Sequence, residues 1–327
     1  PTIQPFARQW VHAPTSALPG YIEEKEVNKL KQLTMAEAFD SFIISRLADG
    51  AREKTIETYK SQFHAISKRI SVKSNMNSIT NCDIQNMIVK MRSSGLKSTS
   101  IQTYSRLLRT FFNWARDAEY SDIKIKLYHT EESMKEPYTD FELSLLLKKP
   151  ERDCKFWEYR DWVIINFLLN SGCRAATLRA IKIKDINLDD GVVSFRHTKN
   201  GHPQVMPLCQ DMKAILKQYL RIRHGNQDDE LFCNDKYEPL TENALRKTIA
   251  KYNQSRRVAK TSIHLFRHTF AKKFLLDCGG DAFTLQHLLG HKTLDMTKHY
   301  CNLYNADIAH RFESICPLSI INQSHPH

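Results

Sequence analysis

The sequence predicts a mainly α protein with a small antiparallel β-sheet, arranged as a helical domain followed by an α+β domain. Three observations lead there. Apolar residues keep helical spacing from about residue 33 to 122. A charged, Lys- and Glu-rich stretch ending at Pro137 then breaks the pattern. Beyond it, helical segments enclose one block with two hairpin-type turns, Asp190-Gly191 and Asn200-Gly201. The expected divisions are an N-terminal extension (1–32), a helical domain (33–122), a linker (123–137), a second domain (138–316) and a tail (317–327). A length of 327 residues agrees with two domains.

In the first domain, Ala36, Phe39, Phe42, Ile43 and Leu47 form one apolar stripe, closed by Asp49-Gly50. Ile56, Tyr59, Phe63, Ile66 and Ile70 form a second, and Ile84, Met87, Ile88 and Met91 a third that stops near Gly95. The fourth begins after Ser98 and carries Ile101, Tyr104, Leu107, Leu108, Phe111, Phe112 and Trp114. Four short amphipathic helices predict a bundle, with the aromatic residues in its core rather than stacked on bases.

The second domain opens at Thr139-Asp140-Phe141-Glu142, which has the form of a capping box. A buried helix is expected at about 157–170, stopped by Ser171-Gly172. Ile181, Ile183 and Ile186, then Val192 to Phe195, then Gln204 to Leu208 read as strands. Lys199 sits beside the Asn200-Gly201 tip. Helices are then expected at about 211–224, 241–252, 263–277, 282–289, 293–301 and 305–314, with Gly225 and Gly279 as stops.

Lys and Arg number 48 against 36 Asp and Glu, a net charge of +12. Such a surplus favours a polyanion through counterion release, although a basic protein without that partner would look the same. A hydrophobic content of 41% supports a packed core and argues against disorder. No apolar run is long enough to span a bilayer, and Pro1 to Trp10 lack the pattern of a signal peptide. A cytoplasmic, nucleoid-associated protein is expected. The eight cysteines (Cys82, Cys154, Cys173, Cys209, Cys233, Cys278, Cys301 and Cys316) form no Cys-x-x-Cys pair. They are expected to be reduced core residues, with no disulfide, metal or other cofactor.

The chemistry-bearing residues lie in the closing half: Gly172-Cys173-Arg174, Lys199, His264-Leu265-Phe266-Arg267, Gly290-His291, and Tyr300 nine residues later. On a helix His264 and Arg267 share a face. Each element alone is weak, because isolated His-x-x-Arg pairs are common and a lone Tyr reads as half-buried core. Together they supply two guanidiniums that can fork onto phosphate oxygens, two imidazoles, and a phenol whose ionisation nearby positive charge would favour. That set suits attack on a phosphodiester.

In this order the residues resemble those of the tyrosine recombinases, the phage-integrase family. Ser171-Gly172-Cys173-Arg174 resembles the family's first arginine motif and Thr198-Lys199-Asn200-Gly201 its hairpin lysine. His264 through Phe270 resembles the second box, and Leu288 through Tyr300 the nucleophile box. The resemblance is strong from about 138 to 315 and rests on weaker motifs in the helical part, which is similar in layout to a core-binding domain. It implies a site-specific DNA recombinase of the integrase or transposase type, acting for a mobile element without cofactor. Tyr300 would form a 3′-phosphotyrosine link, Arg174 and Arg267 would neutralise the phosphate, and His264 and His291 would hydrogen-bond it. Lys199 would protonate the leaving 5′-oxygen. It also implies double-stranded DNA with specific sites, a homo-tetramer passing through a Holliday junction, and the possibility of accessory DNA-bending proteins. Lys97, Arg106, Arg109, Arg179, Lys182, Arg256 and Arg257 are candidate DNA contacts, each otherwise readable as solvated surface charge. The family usually has an acidic residue three positions after the first arginine, where this chain has Thr177. The alternatives are a recombinase that resolves chromosome or plasmid dimers, a topoisomerase-like relaxase, and a DNA-binding regulator with an unused site.

Overall fold

The computed structural model describes residues 33–127, 136–196, 203–294 and 297. The chain divides into two units, with the boundary between Ser133 and Met134.

The first unit contains helices α1 (Met35–Ala48), α2 (Glu53–Ser67), α3 (Asn81–Ser93) and α4 (Ser98–Asp117). Local sequence starts two of them. The Thr34 hydroxyl accepts the Glu37 amide while the Glu37 carboxylate accepts the Thr34 amide, and Thr80 and Asp83 repeat the arrangement before α3. Helix α4 packs on the other three. Its Phe111 is fully buried and lies edge-on to Phe39 and Phe42, each 5.6 Å away between ring centroids. Phe39 also stacks on Phe63 at 3.7 Å. The aromatic stripes therefore pack inward. Ile123 and Ile125 are buried in the same core, so the stretch whose composition reads as linker still contributes to this unit.

In the second unit, α5 (Asp140–Leu147), α8 (Gln210–Arg223), α9 (Glu242–Ser255) and α10 (Ile263–Leu276) all pack on α6 (Phe156–Ser171). The predicted capping box is present: Thr139 accepts from the Glu142 amide at 3.2 Å, and Glu142 accepts from the Thr139 amide at 2.8 Å. Three short strands, β1 (Ile186–Asn187), β2 (Val192–Phe195) and β3 (Gln204–Pro207), form an antiparallel sheet in that order. Register runs from Val192 opposite Pro207 to Phe195 opposite Gln204. The unit also contains α7 (Ala175–Arg179) and α11 (Ala282–Leu289).

The structure corrects several expectations. Ile181 and Ile183 do not extend the first strand. Their segment bonds to a distant loop instead: the Ile183 amide donates to Asp229 and the Lys184 amide to Gln227, both at 2.9 Å, while Leu231 donates to the Ile181 carbonyl at 2.7 Å. Helix α7 is not legible in the sequence, because five residues give too little periodicity to read. Only Cys173 and Cys233 of the six described cysteines are buried, while Cys82, Cys209 and Cys278 are exposed; all six are free. The helices expected at 293–301 and 305–314 lie largely or wholly outside the described residues. No helix among the described residues is long and apolar enough to cross a membrane.

Candidate active site

Gly172 makes the first corner of the site. Helix α6 ends at Ser171, and Gly172 turns the chain in the left-handed region at φ 57°. A side chain there would also collide with Phe270, since a Cβ would come within 2.5 Å of its ring. Two residues later Arg174 occupies the position before the first turn of α7 and is half-buried. Cys173, between them, is buried, and burial pushes its thiol up to about 11. It is therefore a protonated packing group at neutral pH.

Arg267 lies one turn after His264 on α10 and is 3% exposed. A guanidinium so deeply buried needs acceptors in fixed places. It donates from Nη1 to the Gly172 carbonyl and from Nη2 to the Leu289 carbonyl, both at 2.9 Å. Nη2 also lies 2.8 Å from Nε2 of His291. Because guanidinium nitrogens only donate, Nε2 is the acceptor and the imidazole proton sits on Nδ1. Nδ1 is 2.8 Å from the Thr297 hydroxyl, which fixes the other end of the ring. Burial, then the charges of Arg267 and Arg174, lower the His291 pKa from 6.5 to about 4. His291 is neutral at pH 7.

Arg174, Arg267 and His291 line one cavity of about 230 Å³, together with Thr177, Gln204 and Lys292. No carboxylate is among its described lining residues. Ligand pockets usually span roughly 300–1,000 Å³. This one lies below that range. Thr177 is buried in the wall, so the position where the family usually has an acidic residue adds no negative charge to the described lining.

The other expected site residues divide into two groups. His264 is exposed, sits edge-on to His268 at 4.7 Å, and is not among the residues lining the cavity. Lys199 and Tyr300 lie outside the described residues. Of the candidate DNA contacts, Lys97, Arg106, Arg109 and Arg257 are exposed. The others have partners inside the unit: Arg256 pairs with Glu158 at 3.2 Å, Arg179 donates to the Leu240 carbonyl at 3.3 Å, and Lys182 lies 3.8 Å from Asp228. Thr297, six residues after His291, joins the site without a signal of its own, and Gln204 meets the end of α11 only through the fold.

The sequence pattern of the phage integrase family matches residues 138–307, more than half the chain, and the family's N-terminal SAM-like domain matches residues 36–119. The chain belongs to the phage integrase family. Its relatives include the tyrosine recombinase XerC of Staphylococcus epidermidis, 30% identical over 234 residues, covering 69% of this chain and 78% of that protein. The XerC of Thermodesulfovibrio yellowstonii is 27% identical over 256 residues, covering 74% and 81%. The fold matches the Tn1549 transposon integrase in complex with circular intermediate DNA, with TM-score 0.69 and 20% identity, covering 82% of this chain and 95% of that one. It also matches a lambda integrase dimer bound to a core site, with TM-score 0.67 and 20% identity, covering 81% and 97%. As a tyrosine recombinase, the protein belongs with enzymes that cut and rejoin DNA.

Proposed function

We propose that this tyrosine recombinase exchanges DNA strands at specific sites through a covalent link to Tyr300. The observation that carries the reading is the cavity, with no carboxylate among its described lining residues, in which Arg174 and a buried Arg267 meet a neutral His291. The two guanidiniums would hold the non-bridging oxygens and stabilise charge that builds in the transition state. Arriving phosphate would take over donors of Arg267 now shared with His291. His291, with its Nδ1 proton held by Thr297, would then need Nε2 protonated to donate to phosphate, or would accept from a protonated oxygen. Tyr300 would displace the 5′-oxygen to leave a 3′-phosphotyrosine, and Lys199 would give that oxygen its proton. His264 would assist in moving the phenol proton. A covalent intermediate retains the ester energy, so the hydroxyl of a second DNA can rejoin without ATP.

Residues 33–122, with Ile123 and Ile125 in the same core, would serve as the DNA-binding domain and the rest of 123–137 as linker, with Lys97 at the start of α4 and Arg106 and Arg109 on it the leading phosphate contacts. A homo-tetramer on two sites, passing through a Holliday junction, is the expected assembly, and accessory DNA-bending proteins fit the same scheme. We favour integration, excision or transposition of a mobile element; solved proteins of like fold include a transposon integrase on circular intermediate DNA. The test is to sequence the joined DNA made in cells carrying the protein and its flanking DNA. Junctions between element ends and new targets support this reading, whereas exchange confined to one chromosomal or plasmid site supports dimer resolution.

A further inference from the structure

The last turn of an α-helix leaves four carbonyls without an intrahelical donor. At the end of α11 the chain itself satisfies two. The His291 amide donates to the Gln286 carbonyl and the Gly290 amide to that of His287, both at 3.0 Å. These are the paired bonds of a Schellman ending, and they need Gly290 in its left-handed conformation at φ 61°. The remaining two carbonyls accept from side chains brought in by other elements. Leu289 accepts from Arg267, and Leu288 accepts from Gln204 Nε2 at 2.8 Å. The same Nε2 donates to His287 at 2.7 Å.

Gln204 is the first residue of β3, paired opposite Phe195. Its Oε1 lies 2.9 Å from where a Cβ on Gly290 would be, so the amide is packed against the turn. The helix end that delivers His291 is thus gripped from two sides, by Arg267 from α10 and by Gln204 from the sheet. We propose that Gln204 is a positioning residue for strand cleavage. It holds the α11 terminus so that the Gly290 turn sets His291 against Arg267 and the scissile phosphate. It acts through His291 and does not itself contact the phosphate. This rests on the reading that the cavity receives that phosphate.

Gln204→Met keeps the side chain's length and removes its donor. Gln204→Glu also cannot donate when ionised and brings negative charge to the negative end of a helix. Both are measured in the full chain on a nicked suicide DNA, with thermal unfolding as the check on folding. Misplacement of a reacting partner by about 1 Å costs on the order of 100-fold, so cleavage slows about 10- to 100-fold in both variants, with DNA affinity within about twofold of wild type. Combining Gln204→Met with His291→Ala gives a rate no lower than His291→Ala alone, because the first change acts through the second residue. A double variant whose losses multiply, or a Gln204→Met that cleaves at the wild-type rate, overturns the proposal alone. Wild-type protein that forms no covalent adduct overturns the functional reading and this proposal with it.

Discussion

The two units bury different things. Among the described residues, the buried charged side chains Arg160, Asp161, Asp185, Arg223 and Arg267 all belong to the second unit, whereas the first buries only Ser105 and Ser121 beside its apolar core. Aromatic packing needs no partner in a fixed direction, while a buried guanidinium needs several. Arg160 donates to the Cys233 carbonyl and to Asp161, and Arg223 donates to the carbonyls of Leu231 and Glu230. Arg267 is a third clamp of the same kind, on Gly172 and Leu289. What distinguishes it is an imidazole at 2.8 Å and a cavity in front. Of the three buried arginines, Arg160 and Arg223 tie backbone within the unit, and Arg267 is the one to which the proposed function gives a chemical role.

The comparison breaks most readily in the first unit. Phe111→Ala removes a ring in contact with Phe39, Phe42, Phe63, Phe112 and Trp114. It should destabilise that unit by about 3–5 kcal/mol. Hydrogen exchange over residues 33–127 should rise while that of 140–290 stays as in wild type. Equal loss of protection in both would mean that the units fold as one body.

Arg267→Ala sharpens the contrast among the three arginines. Loss of a donor aimed at developing charge typically costs about 10²–10³ in rate. Cleavage of a suicide substrate should fall at least that far, since the two carbonyl clamps and the His291 contact go together. Cleavage within tenfold of wild type would make Arg267 another architectural arginine.

Much of this arrangement was legible in the chain. The four apolar stripes gave the helical unit, Gly172 marked the end of α6, and Thr139-Glu142 marked the start of α5. What could not be read depends on partners far away in sequence. Ile183 looks like a strand residue, but its amide bonds to Asp229. Gln204 looks like any strand polar residue until it meets the carbonyls of His287 and Leu288. Arg179 and Arg256 look like surface cations, yet one donates to Leu240 and the other pairs with Glu158. Local pattern reports periodicity and turns; the destination of a polar side chain is a property of the assembled fold.

A smaller effect follows from His291. Its pKa is lowered from 6.5 to about 4 in the folded protein, so the unfolded chain takes up the proton first as acid is added. The stability tied to a neutral His291 is complete above pH 6.5 and drains as pH falls toward about 4. Denaturant titrations should show His291→Leu losing less stability than wild type across that window. Identical slopes would mean the ring is not held neutral. The smallest change belongs to the exposed face of α4: Arg106→Ala should weaken binding across DNA sequences alike and reduce the salt slope by about 1. An unchanged slope would remove Arg106 from the DNA contacts.

The most direct measurement is to trap the protein on nicked DNA, digest the adduct and identify by mass spectrometry the residue that carries the nucleotide. The nucleotide should be found on Tyr300, and Tyr300→Phe should yield none. Attachment to any other residue, or an adduct that survives Tyr300→Phe, would contradict the assignment of the nucleophile.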